Sequence, residues 1–364
     1  VTSTAPFGVY VHVPFCRFRC DYCAFATYTD RDHLMVRYVD ACVTELGRAR
    51  EGGMPPASSV FFGGGTPSRL PADELVRILD AVPRRPGAEV TVECNPEDVD
   101  AGRLGTYRSG GVTRLSLGVQ STQPHVLEGL GRRHGSAQAV EAAAAVAGAG
   151  FGSWNMDLIL GGAGESDADW ERSLHDVLGL AVPPPHISAY ALTVEPGTPL
   201  AAHPDRHPDD DVQAGRYEAT ERILGSAGYA WEEISNWARP GHRCRHNRLY
   251  WEQGNYRGIG AAAHSHQDGR RWWNLRIPDR FVAAVEDGRT VVAGEEHLTD
   301  GQRRFEALAL GLRTPDGVPE SVLPGGPGAE DLDGLVVRSG GRAVLTVRGR
   351  LLANAVTSRL VVGV

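Results

Sequence analysis

The chain has no lysine: all 37 of its basic residues are arginine. That excludes a Schiff base to pyridoxal phosphate and a P-loop lysine on a nucleotide phosphate, and with them two large enzyme classes. Cysteine is scarce, at six residues, and three of these crowd into one short stretch, so a reducing compartment fits better than a disulfide framework. No apolar run approaches a membrane span and VTSTAPFGVY carries no basic leader, so a cytosolic protein is expected. The formal charge of -8 speaks against general nucleic-acid or membrane binding by the whole molecule. What is present is enough for a sizeable core. Hydrophobic residues make up 41% of the chain, and 364 residues suit one large α/β barrel domain with a smaller appendage.

The densest chemistry lies in YVHVPFCRFRCDYCAF, from Tyr10 to Phe25, where Cys16, Cys20 and Cys23 stand at C-x3-C-x2-C spacing after a strand-like run. Thiolates this close on a loop usually bind metal. A 4Fe-4S cube has four irons, so three cysteines leave one iron with an open position. The alternatives are a structural zinc site, which needs a fourth ligand such as His12 or His33, or unbound core thiols.

Short apolar runs recur at Gly8 to Val13, Ser59 to Gly63, Ala88 to Cys94, Val112 to Val119, Ser153 to Ile159 and His186 to Ala191. Helical patterns lie between them, such as His33 to Arg50 and Ala72 to Val82. The alternation predicts an α/β fold, a (β/α)6 parallel barrel, closed or partial, over residues 1–228. An aromatic- and histidine-rich segment at 229–299 completes the core, and a C-terminal α+β domain at 300–364 follows. In a parallel barrel reactive groups collect at the C-terminal ends of the strands. There the sequence places the cysteine loop, then Gly63-Gly64-Gly65-Thr66-Pro67, Glu93, Gln120 and Asp157. The glycine run lets a ligand lie against exposed backbone, although a triple glycine is also an ordinary tight turn. Glu93 suits the two hydroxyls of a ribose, or is a helix-capping acid. Asp157, among apolar neighbours, needs either a ligand or an internal arginine.

With these residues in view, the chain resembles the radical S-adenosylmethionine (SAM) superfamily, whose cluster motif is C-x3-C-x2-C. Y-V-H-V-P-F-C before it resembles the branch containing oxygen-independent coproporphyrinogen III oxidase and the HemW-type haem chaperones. The resemblance implies a 4Fe-4S cluster on Cys16, Cys20 and Cys23, and SAM contacts at Tyr10, Tyr22, Gly64, Gly65, Thr66, Glu93, Gln120, Arg132, Asp157 and Ala191. It points to Arg132 rather than Arg133. Phe25 stands where the oxidase has a fourth cysteine, and Cys16 comes too early for the oxidase's N-terminal segment, so the chaperone side is favoured. Ala24 and Gly161-Gly162-Ala163 depart from the chaperone pattern of aspartate and G-L-P.

A second dense stretch, Trp231 to Asn274, holds five of the seven tryptophans together with His242, His246, His264 and His266. Aromatic faces suit a flat apolar ligand, or the seam between two domains. His246-Asn247-Arg248-Leu249-Tyr250-Trp251 matches the H-N-x-x-Y-W signature associated with haem binding in HemW-type chaperones, which makes His246 the haem-contact candidate with Tyr250 and Trp251 in support. A zinc reading of His242, Cys244 and His246 on one face of a strand also exists. From Asp300 onward the sequence reads helix, Gly/Pro-rich loop, strand, Gly-Gly turn, strand, helix, a winged-helix-like end. Residues 338–364 hold five arginines and no acid, either a solvated face or a dock for an acidic partner or membrane surface. The expectation is a haem chaperone that delivers haem to a recipient haemoprotein and binds no nucleic acid. The alternative is a SAM-radical enzyme acting on a porphyrinogen, or a related methyltransferase.

Overall fold

The computed structural model describes residues 5–323 and 332–360. Six parallel strands run side by side in chain order: β1 (Phe7–Val13), β2 (Ala57–Gly64), β3 (Arg84–Cys94), β4 (Arg114–Gln120), β5 (Ser153–Leu160) and β6 (His186–Ala191). Their near-continuous apolar sequences reflect cover on both faces, as parallel sheets require. Helices fill the crossovers. Met35–Glu51 buries Tyr38, Val39, Cys42 and Leu46 against the sheet, and Ala72–Ala81 buries Leu75, Ile78 and Leu79. The strands lie where the apolar runs predict them, except that β3 begins earlier, at Arg84, where it pairs with Ala57 through a register irregularity.

The aromatic segment extends this sheet at both sides. β7 (Ala230–Glu233) and β8 (Asn236–Ala238) continue it antiparallel beyond β6. β9 (Asn255–Ile259) lies parallel to β1, followed by antiparallel β10 (His264–Gln267), β11 (Arg270–Asn274) and β12 (Val292–His297). The order β12-β11-β10-β9-β1-β2-β3-β4-β5-β6-β8-β7 leaves β12 and β7 as separate edges, so the barrel is partial. Trp231, Trp237 and Trp272 are buried.

The C-terminal part begins with the helix Asp300–Gly311. It forms a second sheet from β13 (Val318–Pro319), β14 (Val336–Ser339) and β15 (Arg342–Leu345), and ends in the helices Val347–Leu351 and Ala353–Leu360. Leu308, Leu312, Leu335, Leu345 and Val356 give it its own small core. The Gly/Pro-rich 324–328 lies outside the described residues. The arginines after 337 do not make one basic face. Arg350 lies 3.7 Å from the Trp231 ring and donates to Glu221 at 2.7 Å. Arg342 donates to the carbonyls of Asp316 and Gly317, and Arg338 faces Glu320. Arg348 is exposed, and the side chain of Arg359 lies outside the described residues. No helix among the described residues is long and apolar enough to cross a membrane.

Candidate cofactor site

The loop after β1 is pinned at both ends of its cysteine run. Cys16 N–H donates to Tyr28 O at 3.0 Å, and Tyr28 N–H to Pro14 O at 2.8 Å. The glycine turn after β2 lies against the same loop, with Gly65 N–H on Val13 O and Thr66 N–H on Phe15 O, both at 2.8 Å. The closeness explains the glycines. A Cβ on Gly65 would stand 2.8 Å and 2.9 Å from those two carbonyls and 3.1 Å from Cys16 Sγ, while Gly64, at φ +110°, would drive one into the His12 ring at 2.4 Å.

Cys16, Cys20 and Cys23 line one cavity of about 500 Å³. Burial pushes the Cys16 thiol up to about 11, and the neighbouring Cys23 and Cys20 add to the effect. Cys23 is raised by the same cause. Thiols so placed stay protonated until a cation compensates, as metal loading with proton release requires. His12 is unsuited as a fourth ligand: Nε2 is bonded to Ala26 O at 3.1 Å and Nδ1 to the Tyr10 hydroxyl at 3.2 Å. No three His, Cys, Asp or Glu side chains among the described residues are grouped to hold a single metal ion. Three cysteines of one loop that face one cavity suit a cluster in which each thiolate takes a different iron.

Of the residues the resemblance assigns to SAM, the cavity is lined by Tyr22, Gly64, Gly65, Thr66, Glu93, Gln120, Arg132, Asp157 and Ala191. Tyr10 is not among the lining residues; it packs on Phe61, ring centroids 6.3 Å apart, and bonds His12. Glu93 is half-buried on the cavity wall, and burial, then the charge of Asp157, pushes it up to about 8 against the pull of the Gly64 N–H. Gln120 has φ 71° at a register shift between β4 and β5, which turns its side chain into the cavity without a hydrogen-bond partner among the described residues. Arg132 bonds no carboxylate among the described residues. It donates to Asn95 Oδ1 at 2.7 Å, Gly118 O at 2.8 Å and Cys20 Sγ at 3.4 Å, and its Nε is buried without a partner.

No arginine among the described residues bonds Asp157. Ser116 Oγ donates to it at 2.9 Å and Asn155 Nδ2 at 2.7 Å, while burial raises its pKa. The network continues from Asn155 Oδ1 to His186 Nδ1 at 2.5 Å, and from His186 Nε2 to Glu232 Oε2 at 2.9 Å. Ser188 donates to Asn236 at 2.7 Å. Sequence reasoning missed these residues by looking only at strand ends. The available signal was period-two polarity within buried strands: Thr91 and Glu93; Ser116, Gly118 and Gln120; Asn155 and Asp157; His186 and Ser188 all face the cavity.

Asn247 of the H-N-x-x-Y-W stretch lines this cavity, whereas His246, Tyr250 and Trp251 do not. His246 is fully buried on the short helix Arg245–Trp251, its Nδ1 bonded to Ser59 Oγ and Nε2 to the Tyr250 hydroxyl, both at 2.9 Å. Trp251 lines a smaller cavity of about 280 Å³ with Arg248 and Glu252. The strand-based zinc reading fails: Cys244 caps that helix, His242 lies in the turn before it, and their partners diverge to Glu89 and Ser153.

A sequence profile described as the Radical SAM superfamily matches residues 10–177. The chain is 43% identical to "Heme chaperone HemW" of Mycobacterium tuberculosis (strain CDC 1551 / Oshkosh), with 98% of this chain and 95% of the relative covered. It is 36% identical to the protein of the same name from Synechocystis sp., covering 89% and 82%. Escherichia coli coproporphyrinogen III oxidase (HemN), described as a radical SAM enzyme, shares the fold at a TM-score of 0.83 and 23% identity, covering 98% of this chain and 90% of that one. With its three thiols set at the strand ends of a partial barrel and this likeness along nearly its whole length, the chain belongs to the HemW-type family of the radical SAM superfamily.

Proposed function

We propose that the protein is a cytosolic haem chaperone built on a radical-SAM core, which binds haem and passes it to a recipient haemoprotein. Cys16, Cys20 and Cys23 would hold a 4Fe-4S cluster, which would supply one-electron chemistry to SAM bound in the same cavity. The observation that carries this reading is that three thiols of one loop line a cavity walled by Glu93, Gln120, Arg132 and Asp157. Around that centre the chain's own residues have separable tasks. Gly64 and Gly65 present backbone at the cavity wall to a ligand's amino group, Glu93 accepts hydroxyls, and Gln120 offers its amide. Ser116 and Asn155 hold Asp157 in place. The chaperone assignment rests on the name of relatives that match over nearly the full chain and on Phe25, which occupies the position of the oxidase's fourth cysteine.

Protein purified without oxygen is expected to carry about four irons per chain and to give a saturable shift of the haem absorption band on titration. Zinc in place of iron would end the radical-SAM reading. Conversion of coproporphyrinogen III to protoporphyrinogen IX with SAM consumption would replace the chaperone with the oxidase.

A further inference from the structure

The mouth of the cavity carries a surface that cluster and SAM binding leave without a use. Phe25 is 68% exposed and Phe18 45% exposed, although both line the cavity. Exposed aromatics concentrated at one opening mark a binding surface more often than scattered apolar residues do. They belong to the cysteine loop itself and are interleaved with Arg17 and Arg19, while Arg133 reaches the same rim with its guanidinium 5.1 Å from the Phe18 ring. Arg19 spends one N–H on Cys23 O at 3.4 Å, and Arg17, half exposed, stands 3.5 Å from Asp98. Across the opening the exposed carboxylate is Glu195. The rim thus offers flat apolar faces beside several guanidinium groups. The helix that bears His246, by contrast, has both imidazole nitrogens occupied and no exposed ring.

We infer that this mouth is the docking platform for the carried tetrapyrrole, with Phe18 and Phe25 against one face of the macrocycle and Arg19 and Arg133 on its two carboxylates. The inference rests on the haem-carrying function proposed above and adds where the cargo sits. Ring stacking and guanidinium–carboxylate pairing together match a planar dicarboxylate, a shape and charge that neither group would select alone. Among the described residues the rim offers the iron no histidine: His186, which lines the cavity, is buried and bonded to Asn155 and Glu232. Cargo held by its face and its carboxylates dissociates readily, which suits a protein that must release it to another.

The test uses the full-length, cluster-loaded protein and the haem absorption band. Phe25→Ser and the double variant R19Q/R133Q are each expected to weaken haem binding about tenfold, with iron content per chain unchanged. Haem dimethyl ester, whose carboxylates are blocked, should bind the wild type about as weakly as haem binds R19Q/R133Q, and the double variant should show no further loss with the ester. Haem affinities of both rim variants within about twofold of wild type would overturn the platform while leaving the chaperone standing. So would loss of haem binding confined to a correctly folded His246→Ala protein. A wild type that binds no haem would instead overturn the function on which the inference rests.

Discussion

Glu93 shows how a single carboxyl couples this cavity to stability. Its pKa moves from 4.5 to about 8 because burial disfavours the charged form and Asp157 adds repulsion, which the Gly64 N–H offsets only in part. Between those values the unfolded chain has released a proton that the folded chain retains, so stability falls as pH rises through the window. Below it both states are protonated and the penalty vanishes. Glu93→Gln preserves shape and removes the linkage. In the cofactor-free protein the variant should therefore melt above wild type at pH 8, the difference shrinking towards pH 5. Thermal unfolding at the two pH values checks this; an equal difference at both would mean that the carboxyl is ionised in the fold. The same residue illustrates what a sequence conveys. Its place at the end of a strand was legible from VTVECNPED, but its half-buried setting beside Asp157 was not, because that depends on how far β3 and β5 curve round a common interior.

At the scale of the element, the short helix Arg245–Trp251 is held by Glu89. That carboxylate accepts the N–H groups of Arg245 at 3.2 Å and His246 at 3.1 Å, with the Cys244 thiol at 3.7 Å. A carboxylate at a helix start satisfies amides that have no partner within the helix. His246 then packs on Phe61, ring centroids 5.4 Å apart, and bridges β2 to Tyr250, while burial pulls its pKa down to about 3 so that it stays neutral. His246→Ala should cost about 2–4 kcal/mol, through a cavity and two orphaned hydroxyls. Denaturant unfolding measures this, and a cycle with Ser59→Ala should show coupling of about 1 kcal/mol. A loss below about 0.5 kcal/mol would return the histidine to the pool of candidate ligands. The motif was plain in the sequence and its burial was not, since a histidine satisfied by neighbours and one awaiting a metal have the same spelling. The six parallel strands could be read because apolar runs bounded by turns have few other uses. The polar residues inside β4, β5 and β6 could not, because Ser116, Asn155 and Ser188 acquire meaning only when strand register brings them side by side. Residues 242–246 misled for the opposite reason: alternation suggested a strand where the chain makes a turn and a helix.

In the molecule as a whole, two cores of unequal size meet along the β7 edge. Ile234, just after β7, packs against the small C-terminal cluster, and Arg248 pairs with Asp316 at 2.8 Å. Val344, Val347 and Leu351 of the C-terminal part pack against the large core, and Arg350 joins them. Its side chain is 10% exposed, with the guanidinium 3.7 Å from the Trp231 ring centroid and 2.7 Å from Glu221. The stretch of arginines read as a candidate dock for an acidic partner therefore spends one of its members in attaching the C-terminal part to the body. A guanidinium over an indole contributes about 0.5–2 kcal/mol, and a hydrogen bond to a charged group about 1.5–3 kcal/mol. Arg350→Ala should thus speed hydrogen exchange in β13, β14 and β15 by at least about tenfold. Exchange in β1 to β6 should stay as in wild type, because those strands draw their stability from the large core. Uniform acceleration through both sheets would mean that they unfold as one unit. No change in either would shift the attachment onto Ile234 and the Arg248–Asp316 pair, where Arg248→Ala should then produce the effect.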